Sequence, residues 1–248
     1  MKNLLALTSR ELKSLWYSPI AYVVGALFLF IQGWVFWLLL AVLNTPQVDP
    51  SLTMSKFFFG GTLFYWFSTL ITAPLLTMRS FSEEKRTGSI ELLLTAPVTD
   101  TQVVLAKFLA AWVAYGMLWL FTLVFFVYVR TLTTFDWGPV WTGYLGTWLL
   151  GGVLVALGVL ASSLTRNQVI AAVFSFVVIL LLFSVGLLDF FFRDPESVKI
   201  IHYLSLIDHL GDFAKGILDT RPMIFYLSVT VMALFMTGRV ISSERWRS

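Results

Sequence analysis

The chain of 248 residues contains no cysteine, which excludes disulfides, thiolate metal sites and a cysteine nucleophile. Only two histidines occur, His202 and His209, and only 12% of the residues are charged, where a soluble globular domain carries roughly 25%. That leaves too little polar surface to cover a water-soluble globule. No G-x-x-x-x-G-K-[ST] pattern occurs, so no P-loop is present to cradle a nucleoside triphosphate. Neither H-E-x-x-H nor G-x-S-x-G is present to mark a zinc hydrolase or a serine nucleophile. No catalytic residue is assigned. The net charge of +3 comes without a basic run or a stacking motif, and a nucleic-acid partner is not expected.

What the chain has in abundance is apolar length. Hydrophobic residues make up 58% and aromatics 17%, with a mean hydropathy of +0.84. Six runs approach or exceed the roughly 20 residues that span a bilayer as a helix, at 18–43, 57–78, 102–130, 139–164, 168–191 and 222–242. They are continuous and lack the short alternation of a membrane β-barrel, so the reading is an all-α polytopic membrane protein with six transmembrane helices. With the termini, the 79–101 loop and the 165–167 turn on one side, that side holds eleven of the lysines and arginines and the other six. The positive-inside bias then makes the richer side cytoplasmic, with both termini on it. Span interiors are nearly free of charge, which argues against a proton path and for an energy source outside the membrane. Gln32, Thr122 and Ser175 are expected to face other helices. The aromatic run Phe57–Phe67 reads as packing and interfacial anchoring before it reads as a substrate path.

Two further segments stand apart. In residues 1–16, Leu4, Leu5, Leu7, Leu12, Leu15 and Trp16 fall on one half of a helical wheel, with Lys2, Arg10 and Lys13 on the other. This predicts an interfacial amphipathic helix on the inner leaflet, held by Leu5, Leu12 and Trp16. Glu11 intrudes on its apolar half. Residues 192–221 form the longest extracytoplasmic piece. Ile200, Ile201, Leu204, Ile207 and Leu210 recur there at helical spacing, followed by Phe213 and Ile217, which predicts one or two short amphipathic helices. His202 and His209, seven residues apart, are placed to share a helix face near Asp208 and Asp212, but no metal is assigned to them.

The charged stretch "MRSFSEEKRTGSIELLLTAPVTD", Met78–Asp100, lies between two apolar runs on the cytoplasmic side. Arg79 to Arg86 predict a charged helical turn, and Gly88 permits a bend. Ile90, Leu93 and Leu94 give a short apolar strip, Pro97 ends the helix, and Thr99 or Asp100 caps the next one. The strip is too small to be a core. It suits a groove on a soluble partner, with Glu83, Glu84, Lys85 and Arg86 as a polar rim. A solvated loop is the alternative.

The string "EEKRTGSIELLLTAPVTD" resembles the signature of ABC-2-type ABC transporter permeases, with Lys107 where that family has a lysine at the start of the third span. The turn "SSLTRNQVIAAV" is similar to the same family. "LSLIDHLGDFAKGILDTRPMIFYLSV" and the terminal "ERWRS" are similar to its gliding-motility-associated branch. The resemblance implies one ABC-2 transmembrane domain over 1–248, of the type V exporter-like plan, with residues 1–16 as a connecting helix. It implies that 79–98 is a cytoplasmic coupling helix docking on an ABC ATPase subunit through Arg79, Glu83, Glu84, Lys85, Arg86, Gly88, Glu91, Leu93, Leu94 and Pro97. ATP and magnesium would be bound by that separate ATPase, and the chain itself would need no cofactor. The resemblance further implies a second permease chain or related membrane subunit, an accessory extracytoplasmic protein and a bacterial inner-membrane location. The alternative function is a motor or scaffold acting on an extracytoplasmic partner, with nothing translocated.

Overall fold

The computed structural model describes residues 2–43, 54–89, 98–190 and 194–245. In chain order the helices are α1 (Lys2–Trp16), α2 (Pro19–Leu43), α3 (Met54–Phe58), α4 (Leu63–Thr77), α5 (Ser82–Thr87), α6 (Asp100–Phe121), α7 (Leu123–Leu132), α8 (Gly138–Ser163), α9 (Gln168–Val185), α10 (Pro195–Leu204), α11 (Leu206–Ala214) and α12 (Thr220–Arg245). A 3-10 turn, Leu188–Phe190, precedes α10. The starts are set by local chemistry. The Thr99 side chain accepts from Gln102 N–H, and Gln102 returns the bond to the Thr99 N–H, a capping box that opens α6. Asn167 caps α9 by accepting from the N–H groups of Val169 and Ile170, and Ser205 caps α11 by accepting from Asp208 N–H.

Among the described residues five helical stretches are long and apolar enough to cross a membrane: Pro19–Val42, Asp100–Leu132 (α6 and α7 together), Gly138–Ser163, Gln168–Val185 and Thr220–Ser243. The run 57–78, expected as a sixth span, is divided. Gly60 takes a left-handed conformation at φ 85°, which ends α3, and the Thr62 hydroxyl then caps α4 by accepting from Tyr65 N–H. What remains is a 15-residue helix, about 22 Å long at 1.5 Å per residue, short of the roughly 30 Å hydrocarbon core. Hydropathy is blind to this break because Phe57–Phe59 continue the apolar run across it.

The centre of the bundle is α8, 72% buried over its most apolar stretch. Its sequence, "GPVWTGYLGTWLLGGVLVALGVLASS", is rich in glycine, and small residues let neighbouring helices approach closely where lipid offers no hydrophobic drive. At Gly158 a Cβ would stand 2.0 Å from the Thr77 hydroxyl of α4, so only glycine fits there. α4 lies alongside α8 in parallel. Tyr65 and Thr147 hydroxyls are bonded at 2.9 Å near one end, and Ser162 accepts from Phe81 N–H at 3.0 Å near the other. α12 and α9 also pack on α8.

The polar residues expected to face other helices do so. Gln32 Nε2 donates to Ser68 Oγ at 2.7 Å, Thr122 and Tyr144 hydroxyls are bonded at 2.7 Å, and Ser175 is buried. Within Phe57–Phe67, Phe58, Phe59, Tyr65 and Trp66 are core residues, with Phe59 stacked on Phe126 at 5.7 Å. These aromatics serve packing.

The segment 192–221 contains two short helices, α10 and α11, separated at Ser205. The break puts His202 and His209 on different helices, so they do not share a face. His202 Nδ1 pairs with Asp208 Oδ2 at 2.8 Å, and His209 Nε2 meets the Tyr203 carbonyl at 3.0 Å. Among the described residues no group of three or more His, Cys, Asp or Glu side chains gathers to hold a metal. α11 is no free amphipathic surface: Leu206, Leu210 and Phe213 are buried against α8.

Candidate functional site

A cluster of charged residues stands at the end of the bundle opposite α10 and α11. There α5, α1, the start of α6 and the end of α8 meet. α5 is joined to α4 by the turn 78–81 and held from three sides. Ser162 Oγ of α8 accepts from the N–H groups of Phe81 and Ser82 at 3.0 and 3.1 Å and donates to the Met78 carbonyl at 3.1 Å. Lys85, 9% exposed, donates to the main-chain oxygen of Ser163. Arg79 forks onto Glu83, Nε to Oε2 at 2.6 Å and Nη2 to Oε1 at 2.7 Å, and its Nη1 reaches Ser18 Oγ in the α1–α2 turn at 2.8 Å.

The third side is a shared ion pair. Lys107 of α6 is 3% exposed, and its Nζ donates to Glu84 Oε1 at 2.7 Å and to Glu11 Oε2 at 3.1 Å. It also lies 5.2 Å above the centre of the Phe81 ring. One ammonium thus ties α5 to α1 through two carboxylates. Glu84 Oε2 is buried with no hydrogen-bond partner. Burial, stronger than the pull of Lys107, raises the Glu84 carboxyl above the usual carboxylate range. Burial also works to raise Glu11, but Lys107 and Arg10 together outweigh it and hold that carboxyl low. The Arg79 fork, opposed by partial burial, lowers Glu83. Beside these groups lies a cleft of about 560 Å³, lined by Glu11, Ser18, Arg79, Glu83, Glu84 and Lys107 among others.

Of the residues predicted to meet a partner, Glu83, Glu84 and Lys85 therefore engage the chain's own bundle. The outward side of the element is Arg86, Thr87, Gly88 and Ser89. Gly88 adopts φ 75° at the C-terminus of α5, the left-handed conformation that favours glycine, and makes the expected bend. Ile90, Glu91, Leu93, Leu94 and Pro97 lie outside the described residues. In α1, Leu5 is 68% exposed while Leu12 and Trp16 are half-buried. Trp16 meets Tyr22 edge-on at 6.5 Å, and α1 as a whole packs along α6. Ser18 is an ordinary small polar residue that no pattern marks, and Ser162 stands out only as the first residue of the turn "SSLTRNQVIAAV", with no sign of its bonds to the 78–82 segment. Glu11 did carry a sign, its place on the apolar half of α1.

A short helix, exposed at one end, is braced on α6 and α8 directly and on α1 through Lys107. A family model described as "ABC-2 family transporter protein" matches residues 6–247. It covers the ABC-2 part of the resemblance and does not reach the gliding-motility branch. No curated protein matches the chain.

Proposed function

The chain belongs to the ABC-2 transporter family, and from that premise we propose that it is the permease subunit that turns ATP hydrolysis on a separate ATPase subunit into movement of its own spans. The observation that carries this reading is the bracing of α5. Its outward residues, Arg86–Ser89, are free to meet a partner, and its inward residues are bonded to α6 and α8 and, through Lys107, linked to α1. A push on a helix so held moves the bundle, whereas the same push on a loop would be lost. In this reading α3 and α4 together make the sixth crossing, because α4–α5 follow α8 from Thr147 to Ser162. Both termini and α5 then face the cytoplasm, with the protein in a bacterial inner membrane. ATP and magnesium stay on the ATPase, and a second permease chain completes the assembly. Placement in the gliding-motility branch rests on the "LSLIDHLGDFAKGILDTRPMIFYLSV" stretch and the terminal "ERWRS".

The test is purification of the tagged chain from its native membrane. An ABC ATPase should co-purify, the complex should hydrolyse ATP, and the isolated chain should not. Hydrolysis by the isolated chain would overturn the reading, as would a complex that lacks any ATPase.

A further inference from the structure

We propose that the cleft at the α10–α11 end of the bundle is a binding site for the phosphate headgroup of an anionic lipid. The cleft measures about 700 Å³ and is lined by Lys56 of α3, Lys199 of α10, Lys215 just after α11 and Arg221 at the start of α12. These four cations come from four separate parts of the fold. Gathering like charges around one concavity is unfavourable unless a counter-charge occupies it.

The three acids of the same cleft offset part of that charge, but only Asp212 is paired with one of the four cations. Asp208 pairs with His202, Asp212 pairs with Lys215 at 3.3 Å, and Asp219 Oδ1 accepts from the Arg221 main-chain N–H at 3.0 Å. Among the described residues, no side-chain hydrogen bond or ion pair engages Lys56, Lys199 or the Arg221 guanidinium. The other lining histidine, His209, is turned to the Tyr203 carbonyl. The lining thus sets four cations against three carboxylates, and Lys56, Lys199 and the Arg221 guanidinium have no ion-pair partner among the described residues.

The surroundings indicate the kind of anion. Exposed apolar side chains flank the cleft on the helices that carry its cations: Ile200 (63%), Tyr203 (65%) and Leu204 on α10, Leu218 before α12 and Ile224 (65%) on α12. Cations in a concavity with apolar groups at its margin suit an amphiphile whose phosphate enters the cleft and whose chains stay in the bilayer. A free phosphate would use the cations and leave the apolar margin without a role. This inference needs only that the bundle sits in a membrane, and it stands whether or not an ATPase couples to the other end.

The experiment is native mass spectrometry of the purified full chain in a non-ionic detergent, titrated with phosphatidylglycerol or phosphatidylcholine of the same acyl composition. Phosphatidylglycerol should bind more tightly. Lys56→Gln, Lys199→Gln and Arg221→Gln should each weaken its binding about two- to fivefold, the range of a partly exposed ion pair. The triple variant should bind it no better than phosphatidylcholine. Arg130→Gln, an exposed cation at the same end but outside the cleft, should change nothing. If the triple variant does not keep its elution volume, the three single variants decide the question. Equal binding of the two lipids would overturn the proposal, and so would phosphatidylglycerol affinity that survives all the substitutions. Complete displacement of phosphatidylglycerol by inorganic phosphate would also overturn it, by showing a site for a free anion.

Discussion

Lys107 and Glu84, 23 residues apart in sequence, are bonded at 2.7 Å with the lysine 3% exposed. Glu11 shares the same ammonium from a helix nearly a hundred residues away in the chain. Deleting the cation would leave two carboxylates facing one another with little water. Removing one partner from a buried ion pair typically costs about 3–5 kcal/mol. Lys107→Leu should therefore lower the melting temperature of the detergent-solubilised chain and loosen α1 and α5, with Lys107→Arg milder. Size-exclusion thermal melts check this, and a leucine variant melting like the parent would show the junction to be inconsequential.

The two carboxylates should behave oppositely. The folded-state pKa of Glu84 is raised above the ordinary 4.5, so the fold binds its proton more tightly than the unfolded chain does. Its favourable contribution is present below that ordinary value and is lost as pH rises through the raised one. Glu11 and Glu83 are lowered, so theirs is present above the ordinary value and is lost as pH falls through the lowered ones. At neutral pH, Glu84→Gln should leave the melting temperature unchanged or raise it, because Lys107 keeps Glu11. Glu11→Gln should lower it. Melts of both variants across the acidic and neutral range distinguish this from a simple rim of solvated charges, which would give no difference in sign.

Much of this was legible in the sequence, though unevenly. Continuous apolar runs predicted the helices at 18–43, 139–164 and 168–191, because hydropathy reports length directly. The same index concealed the turn at Gly60–Gly61, where "FFFGG" keeps the window apolar while glycine takes a positive φ. It also hid the interruption at Thr122 between α6 and α7. Thr99 was legible as a cap because its chemistry is local. Glu11 announced itself only as a misfit, since its partner is reached through the packing of α1 on α6. Glu84 and Lys85 read as a polar rim because a charge in a cytoplasmic loop is ordinarily solvated; here tertiary contacts turn both inward.

The close approach of α4 to α8 should be intolerant of bulk. A Cβ at Gly158 would stand 2.0 Å from Thr77 Oγ1 and 2.9 Å from its Cβ, a clash with a side chain that has little room to yield. Gly158→Val should destabilise the bundle by more than the roughly 1–3 kcal/mol common for overpacking. Gly33→Val, at a glycine with nothing within 4 Å, should cost far less. Yield and melting temperature of the two variants give the comparison, and equal behaviour would contradict the packing described.

Topology can be read from single cysteines placed in this cysteine-free chain. Ser89, beyond α5, and Thr134, between α7 and α8, are both exposed and lie at opposite ends of the bundle. A membrane-impermeant maleimide applied to intact spheroplasts should label Thr134→Cys and spare Ser89→Cys until the membrane is permeabilised. Labelling of both from outside would contradict a cytoplasmic α5.

The most direct test of the central claim is site-specific photo-crosslinking in the native membrane, with a photoreactive residue at position 86 or 89 and a control at 134. If α5 presents its outer side to an ATPase, irradiation should join positions 86 and 89 to an ABC ATPase subunit, and position 134 should give no such adduct. An ATPase adduct missing from 86 and 89, or formed equally at 134, would contradict the account.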